Sequence, residues 1–375
     1  MTGSKSASID KGLLFTALLL MIFGIVVVYT ASAPQALKIG LPAEYYLKAH
    51  LQKIVIALGV LIFCAKLDYG FWKKFSRAIF IVGCALTIAA LVVGGETKGA
   101  NRWIWGIQPS EILKFGLICG VCAKLSDAGD EIKTLKCSII QPGIPFLIAA
   151  VLLVMQPNLS MMMLFSFIMV SVLFVAQARA KYLMIASGVG GVASIIIMLV
   201  KSHSSKRIMN YFNEGNAGNY QVNHALDALG NGGLWGTGVG MGMQKLGYLP
   251  EAHKDVAYSV IGEEFGFVGT VLVLCAFGFL FYKGFKIAQN SSTRFGKYMA
   301  VGLTISLFLN FFIHICVCTG LGPTTGQPLP FLSFGGTSLI CSAAFIGVLL
   351  NISKPGTGKI KERFVYKNYE YGSSV

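Results

Sequence analysis

The sequence predicts an all-α polytopic integral membrane protein with about ten transmembrane helices and one long extracytoplasmic loop. Of its 375 residues, 55% are hydrophobic and only 13% are charged, whereas soluble domains carry about 25% charged residues. The apolar residues also occur in runs close to the roughly 20 residues that cross a bilayer. A soluble fold of this length could not bury so much apolar surface in one core.

Ten apolar segments are predicted to span the membrane, within a single transmembrane domain over 1–353 that is followed by a polar cytoplasmic tail at 354–375. The first segment is longer than the apolar region of a typical signal peptide, so we interpret it as a retained helix. The fifth is short, and Pro142 and Pro145 predict that it is irregular. The segments are 12–32, 51–67, 78–94, 110–125, 143–156, 159–178, 182–200, 257–282, 298–320 and 336–353.

The net charge of +15 lies mostly in alternate short loops and in the tail, as at Lys73, Arg179, Lys283 and Lys359. Basic residues concentrate in cytoplasmic loops, so this pattern places both termini in the cytoplasm. Such clusters favour anionic lipid head groups, and nucleic acid is the poorer explanation of the charge. No cysteine lies in the long outer loop and the five histidines lack metal-ligand spacing, so neither a disulfide framework nor a protein metal site is predicted.

Three polar segments stand out among the predicted outer connections: 95–111, 201–256 and 320–336. The first is rich in Gly, Trp and charge, the second holds all four acids of the long loop, and the third is Pro/Gly-rich without charge. Loops longer than about 12–15 residues are usually functional or disordered. We therefore expect the chemistry here, most of it in 201–256. Within that loop, Gly236–Gly240 lacks the strand of a nucleotide-binding loop and is interpreted as a flexible or tightly packed loop.

Charged residues at membrane depth form a second signal. Glu111 and Lys114 are three residues apart on a predicted helix and can pair. Glu263 and Glu264 enter the eighth span beside Gly266. Intramembrane ionisable groups normally face a polar interior, because exposure to lipid costs several kcal/mol. A clamp between helices and a direct substrate contact both remain open for these residues.

The cluster at the entrance to the eighth span combines Glu251, His253, Lys254 and Asp255. A carboxylate at a partly desolvated interface can act as a general base, and neighbouring cations can hold phosphate oxygens. From the chemistry alone, a solvated charge cluster at the membrane surface is the simpler interpretation.

Four long stretches are similar to those of the SEDS family (shape, elongation, division and sporulation proteins), in the order that the family has them. LPEAH at 249–253 and YYLK at 45–48 resemble its FtsW branch more than its RodA branch, and a sporulation relative would share both. The stretches run nearly end to end: GANRWIWGIQPSEILK (99–114), QPNLS (156–160), the stretch from YQVNHALDALG to EEFGFVG (220–269) and GLGPTTGQPLPFLSFGGTS (320–338).

The resemblance implies a ten-helix peptidoglycan glycosyltransferase that polymerises lipid II, an undecaprenyl-pyrophosphate-linked disaccharide peptide, outside the bacterial cytoplasmic membrane. It implies a class B penicillin-binding protein as partner, other division proteins, and a place at the division septum. A RodA-like role in elongation, a lipid II transporter and a non-catalytic division scaffold remain alternatives. A transporter should have deep essential charges and two pseudo-symmetric halves, whereas no internal repeat is visible and the signals cluster in outer loops.

By the same resemblance, the family's essential aspartate falls on Asp255. Joining two sugars requires a hydroxyl to attack an anomeric carbon while lipid pyrophosphate departs, so a carboxylate can accept the proton and cations can neutralise the phosphates. Arg102 is expected near the pyrophosphate with Lys114 or Lys245, and a divalent cation such as Mg²⁺ or Mn²⁺ is compatible with that role. The predicted substrate-binding residues are Arg102, Lys114, Lys245, Glu251, His253, Glu264 and Ser333.

Three positions depart from the family pattern. Asn158 stands where an aspartate is common, Lys254 replaces a usual threonine, and Thr337 replaces a common serine. Lys254 adds a cation beside Asp255, which predicts a shifted pH optimum. Because catalytic groups have to reach one substrate, we expect the three outer segments to converge, with Arg102 and Asp255 within about 20 Å of each other.

Overall fold

The computed structural model describes residues 9–94, 102–156, 158–200, 220–246 and 251–354, with side chains throughout these ranges except at 197–200. Within these ranges the regular structure is helical, apart from one isolated bridge between Ile104 and Ile107. The α-helices, numbered in chain order, are α1 (Lys11–Lys38), α2 (Tyr45–Lys66), α3 (Tyr69–Lys74), α4 (Ser76–Val93), α5 (Pro109–Ala128), α6 (Gln141–Met155), α7 (Leu159–Val175), α8 (Ala180–Val200), α9 (Tyr220–Asn231), α10 (Ala257–Asn290), α11 (Arg294–Cys318) and α12 (Gly336–Ile352).

Each of the ten predicted spans falls on one of these helices. In the described part of the chain, six helical runs are long and apolar enough to cross a membrane: α1, α2, α4, α10, α11 and the run Lys136–Met155 that contains α6. Three further apolar helices are shorter, namely Leu159–Val175, Ala180–Ile196 and Gly336–Ile352. The protein is therefore a multi-pass, all-α membrane protein, as predicted, while the number of ten spans stays a prediction.

Several helix ends differ from the prediction. α1 continues through Pro34 to Lys38, α2 begins already at Tyr45, and α10 extends to Asn290. An apolar run marks only the part of a helix that lies in hydrocarbon, whereas the backbone hydrogen bonds of the helix can continue beyond that boundary. A π-helical turn at Lys136–Ile140 leads into α6, so the irregular backbone lies before the predicted fifth span, and α6 itself continues as an α-helix through Pro145.

The long loop predicted at 201–256 is partly helical, because it contains α9, which packs against α10. The glycine-rich chain that follows α9 is hydrogen-bonded to the start of α10. The stretch Gly236–Gly240 is therefore a packed loop, one of the two interpretations kept open from the sequence. Glu214 of this loop lies outside the described residues, as does the tail from residue 355 onward.

Glycines allow neighbouring helices to approach closely. α12 packs along α2, and a Cβ at Gly347 would lie 2.5 Å from the carbonyl oxygen of Leu61. α4 packs along α5, and a Cβ at Gly83 would lie 2.8 Å from the Cα of Leu113. Lipid tails are as apolar as the side chains, so close van der Waals contact of this kind is what holds spans together.

Polar contacts join the two ends of the described chain. The Asp10 amide donates to Ser353 Oγ at 3.1 Å, and the Asp10 carboxylate pairs with Lys283 at 3.2 Å. Arg294 pairs with Asp130 at 3.0 Å at the same end of the bundle. The start of α1 and the end of α12 therefore lie on one side of the bundle. The loops at the opposite end form the candidate site.

Candidate active site

A cavity of about 440 Å³ opens at the end of the bundle opposite Asp10 and Ser353. Separate parts of the chain line it, from α2 to the segment before α12. Its polar lining combines cations, carboxylates, carboxamides and hydroxyls. These residues are Lys53, Arg102 and Lys254; Glu251 and Asp255; Gln108, Asn158, Gln221 and Gln327; and Thr324 and Thr325.

Hydrogen bonds between the predicted outer segments hold this cavity together. The Gln108 amide donates to Thr337 Oγ1 at 2.9 Å, which joins the 95–111 segment to the start of α12. The Phe334 amide donates to the carbonyl oxygen of His253 at 2.8 Å, which joins 320–336 to the long loop. The predicted convergence of the three segments is confirmed, because all three contribute to the lining of one cavity.

The turn of 156–160 also joins the site, which the sequence had not linked to the other segments. Ser160 Oγ donates to the carbonyl oxygen of Thr325 at 3.4 Å, and Arg102 Nε donates to the carbonyl oxygen of Gln156 at 3.2 Å. Arg102 and Asp255 line the same cavity. One substrate can therefore reach both residues.

Asp255 lies two residues before the start of α10, in a turn closed by Glu251. The amides of Lys254 and Asp255 donate to the carbonyl oxygen of Glu251 at 2.8 and 3.1 Å, and Glu251 has a φ of 53°. Gly326 faces the carboxylate of Asp255: a Cβ added there would lie 3.9 Å from both carboxylate oxygens. The missing side chain at Gly326 thus leaves space beside the carboxylate for another group.

Lys53 is a cavity residue that the sequence reasoning missed. It lies on α2, and its Nζ sits 3.7 Å from the centre of the Phe334 ring, a cation–π contact. A signal was present, since Lys53 is a charged residue just inside the predicted second span and such residues normally face a polar interior. Lys254 is the second lysine of the cavity, and its Nζ pairs with Glu251 Oε2 at 2.6 Å.

Two further lysines that were predicted to bind substrate lie outside the cavity lining. Lys114 pairs with Glu111 at 2.8 Å, and both side chains are buried, which confirms the predicted pairing. Lys245 pairs with Glu264, and both are again buried. A buried charge that has lost its partner costs several kcal/mol. Both contacts count against direct substrate contact. The Glu111–Lys114 pair lies within α5, however, so only the Lys245–Glu264 pair clamps two separate segments together.

Glu263 extends the same clamp to the long loop. Its Oε1 accepts hydrogen bonds from the amides of Met243 and Gln244 at 2.7 and 3.1 Å. Together with the Lys245–Glu264 pair, this carboxylate fixes the loop onto the first turns of α10. The clamp joins a loop to a helix, rather than one helix to another as the sequence had suggested.

His253 and Ser333 also lie behind the cavity wall rather than in its lining. The His253 ring is buried between Tyr46 and Phe334, at centroid distances of 5.0 and 5.4 Å. Burial, with a smaller contribution from Lys254, lowers the pKa of His253 to about 4, so the ring is neutral at pH 7. Ser333 Oγ accepts a hydrogen bond from the Leu329 amide at 2.9 Å and closes the turn before Phe334.

Comparison with known proteins identifies the family. The profile of the family described as "Cell cycle protein", which groups FtsW, RodA and SpoVE, matches residues 10–357. The chain belongs to this family. Its relatives include proteins of Trichlorobacter lovleyi (34% identical, over 95% of this chain and 97% of the relative) and Haemophilus influenzae (30% identical, over 92% and 90%). Both relatives are named probable peptidoglycan glycosyltransferase FtsW, and the predicted family is confirmed.

Solved structures share the fold. The crystal structure of the Thermus thermophilus rod shape determining protein RodA is 23% identical, with a TM-score of 0.69 over 93% of this chain and 98% of that one. A chain from a structure described as "Structural coordination of polymerization and crosslinking by a peptidoglycan synthase complex" is 23% identical, with a TM-score of 0.75 over 92% and 97%. At this identity the likeness concerns the fold alone.

In this member of the FtsW, RodA and SpoVE family, the three departing residues make defined contacts. Asn158 caps α7 by accepting a hydrogen bond from the Met161 amide at 3.3 Å. An amide oxygen caps a helix as well as a carboxylate does, so the turn needs no acid for its fold. Lys254 pairs with Glu251, and the Thr337 hydroxyl accepts from Gln108 as a serine hydroxyl would.

Proposed function

We propose that the protein is a peptidoglycan glycosyltransferase that polymerises lipid II into glycan strands at the outer face of the cytoplasmic membrane. The names of its relatives support this activity. The observation that carries the proposal is the lining of one cavity, in which the Asp255 carboxylate lies together with the cations Lys53, Arg102 and Lys254.

In the proposed reaction, the sugar hydroxyl of one substrate attacks the anomeric carbon of another, and the lipid pyrophosphate leaves. Asp255 accepts the hydroxyl proton as the new glycosidic bond forms. The bond between the anomeric carbon and the pyrophosphate oxygen breaks, and negative charge grows on the departing phosphates. Lys53, Arg102 and Lys254 stabilise that charge, because they are cations placed before the reaction begins.

The remaining predicted site residues support this set, Glu251 from within the cavity lining and the others from behind it. Glu251 orients Lys254 through their ion pair. Lys245 and Glu264 are positioning residues, which hold the long loop on α10 through their buried pair, whereas Lys114 pairs with Glu111 within α5. His253 supports Phe334, and Ser333 closes the preceding turn, so both maintain the part of the cavity formed by 320–336.

A divalent cation fits the same chemistry. Among the described residues, no group of three His, Cys, Asp or Glu side chains could hold a metal ion. Mg²⁺, however, is commonly bound by one or two carboxylates together with substrate phosphates, and Glu251 and Asp255 both line the cavity. These two carboxylates would hold the ion, which when bound would supply further neutralisation of the pyrophosphate.

We further propose that the protein acts in septal synthesis during cell division, in the bacterial inner membrane with both termini in the cytoplasm. Its partner is a class B penicillin-binding protein that cross-links the strands, and it works among other division proteins. The description of a structural neighbour as part of a synthase complex that couples polymerisation to crosslinking supports this partner class. Residues 1–353 form one transmembrane domain, and 354–375 form a cytoplasmic tail.

The central test measures glycan polymer from lipid II with the purified protein and its class B partner. Asp255→Asn should lower the polymerisation rate by about 10²–10⁴-fold, the usual contribution of a general base. Asp227→Asn is the matched control: this acid belongs to the same loop, its side chain is 58% exposed and it is not part of the cavity lining. Equal rates for Asp255→Asn and wild type would remove Asp255 from catalysis.

The same preparation separates the alternatives. A lipid II transporter would move substrate between the leaflets of a liposome without forming polymer. A scaffold would leave polymerisation to its partner, so the polymer yield would not change with Asp255→Asn. Either result would replace the proposed enzyme with the corresponding alternative.

A further inference from the structure

α10 is broken at Gly266, where φ is 66° and ψ is −164°. In an unbroken helix the next two amides would donate to carbonyl oxygens four residues earlier. Here they bind the long loop instead: the Phe267 amide donates to the carbonyl oxygen of Gly233 at 2.9 Å, and the Val268 amide donates to that of Leu234 at 3.2 Å. The loop thus supplies acceptors to the break.

The loop also supplies donors to the other side of the break. The carbonyl oxygens of Glu263 and Glu264 accept hydrogen bonds from the amides of Thr237 and Gly238, at 2.9 and 3.1 Å. Each unpaired backbone group costs several kcal/mol in the hydrocarbon of a membrane. Because the loop pairs with these backbone groups on both sides of the break, α10 can break at Gly266 without leaving them unpaired.

The break lies near one boundary of the membrane. Lys283, further along α10, pairs with Asp10 at the end of the bundle that holds both described chain ends. Lys283 lies 16 residues beyond Phe267, which is a rise of about 24 Å along a helix, slightly less than the roughly 30 Å of hydrocarbon. Phe267 consequently lies toward the opposite boundary, in the leaflet on the side of the cavity.

Two large apolar side chains project from the loop at this level. Leu234 is 66% exposed and Trp235 is 80% exposed. They adjoin Phe267, which is 62% exposed on α10, and residues 228–244 around them contain no charged side chain. The exposed pair is therefore continuous with the lipid-facing surface of a membrane span.

We propose that Leu234 and Trp235 insert into the outer boundary of the leaflet on the cavity side and anchor the long loop to lipid. Tryptophan is enriched at this level of membrane proteins, because its ring is largely apolar and its N–H can reach water or head groups. The anchor is rigidly connected to the candidate site, since the same loop is bound to the turns of α10 that follow Asp255. The proposal rests on the membrane fold and not on the proposed reaction.

The test uses an environment-sensitive fluorophore attached to the full chain in phospholipid vesicles. The label is placed at Trp235→Cys or, as control, at Asp227→Cys, an exposed polar position on α9 in the same loop. Exposed Cys275 is replaced in both chains, and the parent chain without the new cysteine gives the background. Vesicles carry spin-labelled lipids whose quenching group sits either near the head groups or deep in the acyl chains.

The label at 235 should show blue-shifted emission and should be quenched more strongly by the shallow probe than by the deep probe. The label at 227 should show neither effect. Water-like, unquenched emission at both positions would overturn the proposal. Protection of position 235 only after a penicillin-binding protein is added would assign the surface to a protein partner and equally overturn it. Fluorescence is read without substrate, so the result is independent of polymerase activity.

Tryptophan fluorescence of the chain without any new cysteine provides a second measurement. Trp72, Trp103 and Trp105 are replaced by Phe, which leaves Trp235 as the remaining tryptophan. Lipids brominated near the head groups should quench its emission. Because Trp72 is 8% exposed, a chain that keeps Trp72 in place of Trp235 should be quenched much less. Equal quenching of the two chains would contradict the anchor.

Discussion

At the scale of single residues, the most specific prediction concerns the effect of Lys53 substitutions on substrate affinity. Lys53→Met should raise KM for lipid II about tenfold or more, because a hydrogen bond to a charged group contributes about 1.5–3 kcal/mol. Lys53→Arg should retain most of the affinity, since it keeps the charge above Phe334. Steady-state polymerisation kinetics, with KM and kcat measured separately, provide the test.

Lys66→Met is the control for this series. Lys66 is exposed at the other end of α2, far from the cavity, so its removal should leave KM unchanged. A wild-type KM for Lys53→Met would show that Lys53 does not contact substrate. A similar rise in KM for Lys66→Met would instead point to a general effect of net charge.

His253 predicts how stability depends on pH. Its folded-state pKa of about 4 lies below the ordinary 6.5, so the unfolded chain binds this proton more tightly. The stability contributed by the neutral, buried ring is complete above pH 6.5 and declines as pH falls towards 4, by about 3 kcal/mol at pH 4. The charged groups near the ring are Lys254 and Lys53, which lower its pKa, and Glu251, which opposes them.

This pH dependence is measured by unfolding the wild type and His253→Gln between pH 4 and 8. The variant should be less stable near pH 8, where it loses the packing with Tyr46 and Phe334. Its stability should decline less than that of the wild type between pH 6.5 and 4. Parallel curves over that range would mean that His253 does not titrate there.

At the scale of secondary-structure elements, the break in α10 predicts how a substitution at Gly266 changes the stability of the protein. Gly266 combines a positive φ with close backbone approach, since a Cβ there would overlap the backbone of Leu234 and Gly236. Gly266→Ala should therefore destabilise the protein by at least about 1–3 kcal/mol, the cost of a strained backbone residue. Thermal unfolding in detergent measures the change.

Gly278→Ala is the matched control in the same helix, because nothing lies within 4 Å of a Cβ added at Gly278. There the substitution should be neutral or stabilise the helix by up to about 1 kcal/mol. The same loss of stability in both variants would mean that helix packing in general, and not the break, explains the effect. Unchanged stability of Gly266→Ala would contradict the exchange of hydrogen bonds between helix and loop.

At the scale of the whole molecule, the bundle has one end with the two described chain ends and an opposite end with the cavity. If the basic loops are cytoplasmic, a green fluorescent protein fused after Val375 should fluoresce in cells. Alkaline phosphatase fused after Asn231 should be active, since this enzyme needs the oxidising side of the membrane. The reverse pattern would invert the proposed orientation and move the cavity to the cytoplasm.

Some features followed from the sequence because they depend on local pattern. The long apolar runs predicted that the chain is a membrane protein. The spacing of Glu111 and Lys114 on one helix predicted that they pair. Asp255 was selected from the four acids of the long loop only through the family resemblance. The helix ends at Lys38 and Asn290 were not readable, because hydropathy reports hydrocarbon contact rather than backbone hydrogen bonding.

The sequence by itself determined the membrane class, the family and the outer segments that line the cavity. Only the tertiary structure decided which charges face the cavity: Lys53 does, whereas Lys114 and Lys245 are held in buried pairs. The physical reason is that periodicity reports the depth and the face of a residue but not its partner across the fold. Lys245 meets Glu264, and Lys53 meets Phe334, only after distant segments have packed together.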